Sequence, residues 1–302
     1  MKKFLYMIAA SLSLGWLISC ETLATVTSAG AQAAGAFGVI DEGTANAISQ
    51  SSDAIARAAE EITPEQEYYI GRAVGANLVK NYKVYTQNAA LTAYLNKICA
   101  AIVANSPKPE IFNGYHVLVL DSSEINAFAT SGGHIFVTRG LIECTNSEDT
   151  LAAVIAHEIA HIQLQHSIKA IKTSRITQAI MVTGISSANA AGQYLDIREL
   201  TDIFDESVGN IVTTLVNNGY SQTQEFDADN MALSLLASAG YTPASLVTML
   251  QSLEQNQPKR PGGFNKTHPA PAQRINNIRQ TVNNYPVLDT RSYRVLRYRS
   301  AF

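Results

Sequence analysis

The stretch Thr145–Ser167 constrains this chain most, because it sets a long apolar run and a five-residue motif with three chemically loaded side chains on what reads as one helix. Ser147 is placed to cap it, and Glu148 and Asp149 put negative charge in the first turn, where the helix dipole favours it. Leu151-Ala152-Ala153-Val154-Ile155-Ala156 follows, so most of the helix is expected to be buried. Within the buried part stand His157-Glu158-Ile159-Ala160-His161. Histidines four residues apart on a helix point the same way and can hold one metal ion. Glu158 lies about 100° further round, able to reach a water on that ion without being a ligand. An ordinary core helix would have to satisfy all three polar side chains without a metal, which is costly.

This H-E-x-x-H spacing is the one zinc peptidases use, and it sends the reading in search of a third ligand. Ser221 can cap a helix running to about Ala239, with Glu225 and Asp229 four apart on one face. Phe226, Ala228, Met231, Ala232 and Leu233 flank them and argue that this end is buried. Glu225 reads as the third ligand of one Zn2+ per chain, and Asp229 as the hydrogen-bond acceptor that fixes a ligand histidine. Asp227 projects elsewhere. His166, five residues past His161, would lie about 140° away round a continuous helix, and reads as a partly exposed polar residue.

Between Tyr115 and Thr138 the apolar period changes to two, with Tyr115–Leu120 reading as a largely buried strand. Asn126-Ala127-Phe128-Ala129-Thr130 and His134-Ile135-Phe136-Val137-Thr138 then form a hairpin-like unit through Ser131-Gly132-Gly133, immediately before the metal helix. An edge strand beside a metal can hold a substrate backbone by strand addition. Asn126, Ala127, Phe128, Gly133 and His134 are the candidate substrate-binding residues. The fold class is α+β, mostly helical, with a small sheet.

The 302 residues, 46% hydrophobic with 16% charged and a formal net charge of −3, suffice for a core and carry no basic block that would suit nucleic acid. Lys2 and Lys3 precede the apolar stretch Phe4–Ile18, which is too short and Ser/Gly-broken for a membrane span. It ends Leu17-Ile18-Ser19-Cys20, which resembles a bacterial lipoprotein signal whose cysteine is lipidated. Glu21 follows in place of the aspartate of an inner-membrane retention signal, so the periplasmic face of the outer membrane is expected. No later stretch approaches about 20 unbroken apolar residues, so anchoring is by lipid. Cys99 and Cys144 are the remaining cysteines, and a bridge between them and two buried thiols are both compatible with the sequence.

The expected organisation is a signal peptide over 1–19, a lipidated N-terminus and tether over 20–62, a peptidase domain over 63–285 and a tail over 286–302. The tether is rich in Ala, Ser, Thr and Gly, with one candidate helix over Ala45–Glu61. Further helices are expected over Pro64–Tyr82, Ala89–Asn105, Pro243–Gln255 and Pro271–Asn284. Glu199, Asp202, Asp205 and Glu206 read as a solvated acidic face, and Gln257–Phe264 as a loop delivering Thr267-His268-Pro269. The tail, with Arg291, Arg294, Arg297 and Arg299, reads as a strand-like packing segment.

Five pieces in order resemble metallopeptidase family forty-eight, the family of HtpX and the type I CAAX prenyl endopeptidases, and within it the periplasmic BepA-like and LoiP-like members. They are Asn126-Ala127-Phe128 with Gly132-Gly133, Gly140-Leu141, the His157–His161 motif, Glu225-x-x-Ala228-Asp229, and His268-Pro269 with Arg274. The resemblance implies a gluzincin fold, His157, His161 and Glu225 as zinc ligands, and Asn126, His268 and Arg274 lining the site. Gln222 stands where the family often has arginine, and too little chain follows Asn284 for the helical repeats of a BepA-like protein. The expected reaction is hydrolysis of internal peptide bonds in unfolded or misassembled envelope proteins. Glu158 acts as general base, Asn126 holds substrate backbone, and His268 or Arg274 serves as donor to the oxyanion. His268 could instead swing in as an extra ligand and keep the enzyme latent. The rival is a lipid-anchored chaperone-like protein that uses the groove without cutting.

Overall fold

The computed structural model describes residues 61–172, 219–256, 267–286 and 291–302, with isolated helical positions among 29–49 and 209–213. The expected signal peptide, Cys20, nearly all of the expected tether with its candidate helix, the expected acidic face of Glu199–Glu206 and the expected loop 257–264 lie outside the described residues. The chain divides into two compact units, one of residues 1–62 and 170–203, the other of residues 63–169 and 204–302. The first is described at few positions, Lys172 and Glu61 among them, whose charged ends lie 3.5 Å apart. Every element named below belongs to the second unit.

Helix α1 (Pro64–Asn81) starts as its sequence dictates, with Thr63 and Gln66 forming a reciprocal capping box and proline in the first turn. Helix α2 (Ala89–Ala104) is capped by Asn88 and buries Leu91, Leu95, Ile98 and Ile102 at helical spacing. Strands β1 (His116–Leu120), β2 (Ala127–Thr130) and β3 (His134–Thr138) follow, and the short helix α3 (Arg139–Ile142) leads into α4 (Glu148–Gln163). Beyond these come α5 (Gln222–Ser238), α6 (Ala244–Asn256), α7 (Pro271–Val282) and α8 (Arg291–Ala301).

Among the described residues the sheet has three strands in the order β1-β3-β2, with β1 parallel and β2 antiparallel to β3. Val117, Val119, Ile135, Val137, Ala127 and Ala129 line the face that joins Leu95, Leu151, Ile155, Leu233 and Met249 in the main core. Leu120, Phe128 and Phe136 line the other face and meet Leu78 of α1. The order corrects one expectation. His134 opens the middle strand, whose two sides are taken by β1 and β2, so only β2 of the expected hairpin has an edge. The hairpin reading omitted the parallel pairing of β1, which no local period announces.

The turn joining β2 to β3 carries α1. Gly132 sits at φ 69°, and a Cβ there would stand 2.3 Å from Cα of Tyr68. Thr130 Oγ1 and Ser131 Oγ donate to the carbonyls of Gly71 and Glu67 at 3.1 and 3.0 Å. Gly132→Ala therefore meets both a left-handed backbone and a neighbouring main chain. It should cost at least about 1–3 kcal/mol in urea unfolding; an unchanged midpoint would show that α1 does not rest on this turn.

One open alternative is resolved and one further expectation is corrected. Cys99 and Cys144 are two buried thiols and are not bridged; Cys144 Sγ donates to the Gly140 carbonyl at 3.2 Å. The tail is a helix where a strand-like segment was expected, because its anchors are polar side chains at helical spacing. Arg294 Nη1 reaches Asp149 Oδ1 at 2.7 Å, Arg297 Nε reaches Glu148 Oε2 at 2.9 Å, and Tyr298 donates to the Thr145 carbonyl at 2.8 Å. Glu148 also accepts from Tyr94 and Tyr241 at 2.9 and 3.1 Å. Burial would raise its carboxyl, but the hydrogen bonds from Arg297 and Tyr94 outweigh that and hold it below the usual carboxylate range. Among the described residues no helix is long and apolar enough to cross a membrane.

Candidate metal centre

Helix α4 is capped by Ser147 in a reciprocal box with Thr150, and is buried from Thr150 to Gln163. That burial turns His157 and His161 inward on one face, with their Nε2 atoms 3.0 Å apart and rings edge-on at 4.6 Å. Helix α5 opens with the same device, Ser221 and Gln224, and brings Glu225 into its first turn with 0% exposure. The Glu225 carboxylate lies 3.4 Å from Nε2 of His157 and 3.5 Å from Nε2 of His161. His268, between Thr267 and α7, sets Nδ1 2.8 and 2.9 Å from the two oxygens of Glu225. One donor atom from each of these four buried residues lies within 4.8 Å of the others.

The electrostatics suit a cation. Burial alone would raise the Glu225 carboxyl, but the imidazoles of His268, His157 and His161 hold it well below its usual range. Burial and Arg274 would lower the His157 imidazole; Asp229 and Glu225 override them and push it up to about 9. His161 goes the other way, well below its ordinary value, because burial prevails. Two buried carboxylates facing these imidazoles give the pocket negative charge that a divalent ion would compensate, displacing protons from the histidines as it binds. Two imidazoles, one carboxylate and a further imidazole form an N/O donor set of the kind Zn2+ takes.

Around the donors stand the supporting groups. Asp229, one turn after Glu225 and 0% exposed, has Oδ1 3.1 Å from Nδ1 of His157. Arg274 clamps that carboxylate from α7, with Nε on Oδ2 at 2.9 Å and Nη2 on Oδ1 at 2.6 Å. The same Nη2 lies 3.1 Å from His157 Nδ1, and Nη1 lies 3.8 Å from Glu225 Oε2. Asp227 is exposed. Glu158 is 2% exposed, and burial raises its carboxyl. Beside it a cavity of ≈ 20 Å³ is walled by His157, Arg274, Val154, Met249 and Leu250, enough space for about one water molecule.

The expected substrate residues are placed less openly. Asn126 is buried, its Oδ1 accepting from the Ala127 amide at 2.9 Å and from Thr267 Oγ1 at 3.2 Å, so it ties the start of β2 to the segment carrying His268. Ala127 and Phe128 are buried in β2. Gly133 takes φ 91°, and His134 packs its ring against Tyr68 at 5.1 Å with Nδ1 3.2 Å from the Ser131 carbonyl.

Two residues of the centre were not anticipated. His166 is 1% exposed, against the expectation of a partly exposed residue, and its Nδ1 lies 2.9 Å from Nδ1 of His161. The spacing argument assumed one helix to Ser167, whereas α4 ends at Gln163 and Gln165 takes φ 56°. Tyr220 stacks on the His161 ring at 4.4 Å and 20°. The only sequence hint was a third histidine inside an apolar helix; for Tyr220 there was none.

The family model described as Peptidase family M48 matches residues 85–282. Among curated proteins the chain is similar to Metalloprotease LoiP of Escherichia coli (strain K12), 31% identical over 162 residues, or 54% of this chain and 60% of that protein. It is 27% identical to the Beta-barrel assembly-enhancing protease of the same strain over 225 residues, 72% of this chain and 43% of the relative. Similarity to the Mitochondrial metalloendopeptidase OMA1 of Schizosaccharomyces pombe (strain 972 / ATCC 24843) is 28% over 195 residues, 63% of this chain and 52% of the relative. The chain thus spans about half the length of the curated relatives it matches.

Proposed function

Because the chain belongs to peptidase family M48, we propose that it is a zinc-dependent endopeptidase of gluzincin type, with His157, His161 and Glu225 holding one Zn2+ per chain. The observation that carries this reading is the buried four-donor set with a buried glutamate, Glu158, on the same helix. When bound, the ion would polarise a substrate carbonyl and lower the pKa of a water it carries to about 7.

The chain's own residues supply the rest. Glu158, with its raised proton affinity, takes the proton from water as oxygen adds to the carbonyl carbon. It returns that proton to the amide nitrogen as the C–N bond breaks. Asp229 holds His157 by its Nδ1, and Arg274 holds Asp229. Since two nitrogens of Arg274 are committed to Asp229, His268 is the better candidate of the two for oxyanion donor whenever it is not itself a ligand. The edge of β2, with Asn126 at its start, is buried in this structure, so an extended substrate backbone would add there only once that edge is uncovered.

The position of His268 among the donors favours latency as well. With His268 as a fourth donor, these residues would hold the ion without a position for water. His268→Ala should then raise basal casein cleavage several-fold; a fall would assign His268 to the oxyanion and end the latency reading.

The wider role follows from the sequence expectations: a signal over 1–19, lipidation of Cys20, a tether to residue 62, a peptidase domain over 63–285 and a tail over 286–302. Outer-membrane anchoring on the periplasmic side and unfolded or misassembled envelope proteins as substrates fit a site that reads backbone. That the relatives include a beta-barrel assembly-enhancing protease supports the same setting. The test is zinc content together with casein digestion by the wild type. One zinc and cleavage support the peptidase; zinc without cleavage by either the wild type or His268→Ala supports the chaperone-like binder.

A further inference from the structure

His166 occupies a place that the peptidase reading does not use. Its buried Nδ1 lies 2.9 Å from Nδ1 of His161, with ring centroids 4.9 Å apart and planes at 74°. The other nitrogen of His161, Nε2, is the one that faces His157 at 3.0 Å and Glu225 at 3.5 Å. An imidazole that offers a lone pair at Nε2 carries its proton at Nδ1. That proton points at His166, which must receive it on an unprotonated Nδ1 and keep its own hydrogen on Nε2. We propose that His166 is a positioning residue: it accepts the Nδ1–H of His161 and locks that histidine in the tautomer and orientation that present Nε2 to the cation. The inference rests on the zinc reading above.

A break in the chain makes this contact. On a continuous helix His166 would lie about 140° from His161. Instead α4 stops at Gln163 and Gln165 adopts φ 56°, a region that non-glycine residues seldom enter. The helical turn that resumes at His166 lies back against His161. Gln165 is held in that conformation by Nε2 donating to Glu67 Oε1 at 2.8 Å. Tyr220 covers the face of the same imidazole at 4.4 Å. His161 is therefore gripped at its edge by His166 and on its face by Tyr220.

The two metal histidines are supported unequally. His157 is backed by the Asp229 carboxylate at 3.1 Å, and an anionic partner raises a ligand's basicity as well as aiming it. His161 is backed by a second imidazole, which aims the ring without adding negative charge. His166 thus sets geometry and tautomer, and its loss should be felt in metal retention.

His166→Phe keeps a ring of similar shape and removes the acceptor, whereas His166→Asn puts Oδ1 where Nδ1 stood. Zinc affinity and release rate of the full chain are measured by competition with a chromophoric chelator. The unfolding midpoint of the zinc-free proteins is measured alongside. His166→Phe should bind zinc about 10–100-fold more weakly, and His166→Asn should recover most of that loss, whatever the zinc-free midpoints do. A merely structural role would weaken both variants together in step with their zinc-free midpoints, and that result overturns the proposal. Wild-type zinc affinity in His166→Phe overturns it as well while leaving the peptidase reading intact. Absence of zinc uptake by the wild type overturns the peptidase reading itself.

Discussion

Glu158→Gln should keep one zinc per chain and lose casein cleavage by about 10²–10⁴-fold, the range that a positioned general base contributes. The amide has nearly the shape of the carboxylate but cannot take a proton from water or hand one to the leaving nitrogen. Burial raises the Glu158 carboxyl, the direction that suits a group proposed to take up and return a proton. Glu158 lies outside the four-donor set, so the substitution separates chemistry from metal binding. Zinc content by elemental analysis and initial rates on casein are the two measurements. Equal activity in the variant would remove Glu158 from the mechanism, and loss of zinc along with activity would make it a ligand.

Arg274→Met is expected to be the most destabilising single change at the centre, by about 3–5 kcal/mol, the usual cost of removing one partner from a buried ion pair. Arg274 is 1% exposed and among the largest fully buried side chains. Its two nitrogens hold both oxygens of Asp229 at 2.9 and 2.6 Å. Burial alone would raise the Asp229 carboxyl, and Arg274 reverses this, keeping it ionised against His157. Without the guanidinium the carboxylate stays buried beside Glu225 with His157 as its remaining partner. Urea unfolding of the zinc-free proteins measures the loss. Arg274→Met with Asp229→Asn, which removes the stranded charge, should be more stable than Arg274→Met alone. A single variant within about 1 kcal/mol of wild type would show that the pair does not hold α7 to α5.

What the sequence made legible was local. Capping serines, the apolar run of α4 and the i,i+4 pairs His157/His161 and Glu225/Asp229 each follow from the geometry of one helix, and α4 and α5 carry them as their spacing requires. The convergence of those two helices was inferred from chemistry, since only one metal needs both. What stayed hidden depended on contacts between distant segments or on a break in regularity. The parallel pairing of β1 with β3 needs two strands separated by a third. The distance between Cys99 and Cys144 has no local signature. His166 was misplaced because the 3.6-residue period was carried past Gln163, where the backbone abandons it. The last helix was misread because its anchors, Arg294, Arg297 and Tyr298, are polar groups that an apolar pattern leaves out.

The attachment of α8 to the start of α4 has a bearing on how the molecule matures. Glu148 and Arg297 are separated by 149 residues along the chain, so their meeting is among the most remote closures in the molecule, and remote closures come late. During folding the buried Glu148 carboxylate at the start of α4 must therefore wait, without the Arg297 guanidinium, for the far end of the chain to arrive.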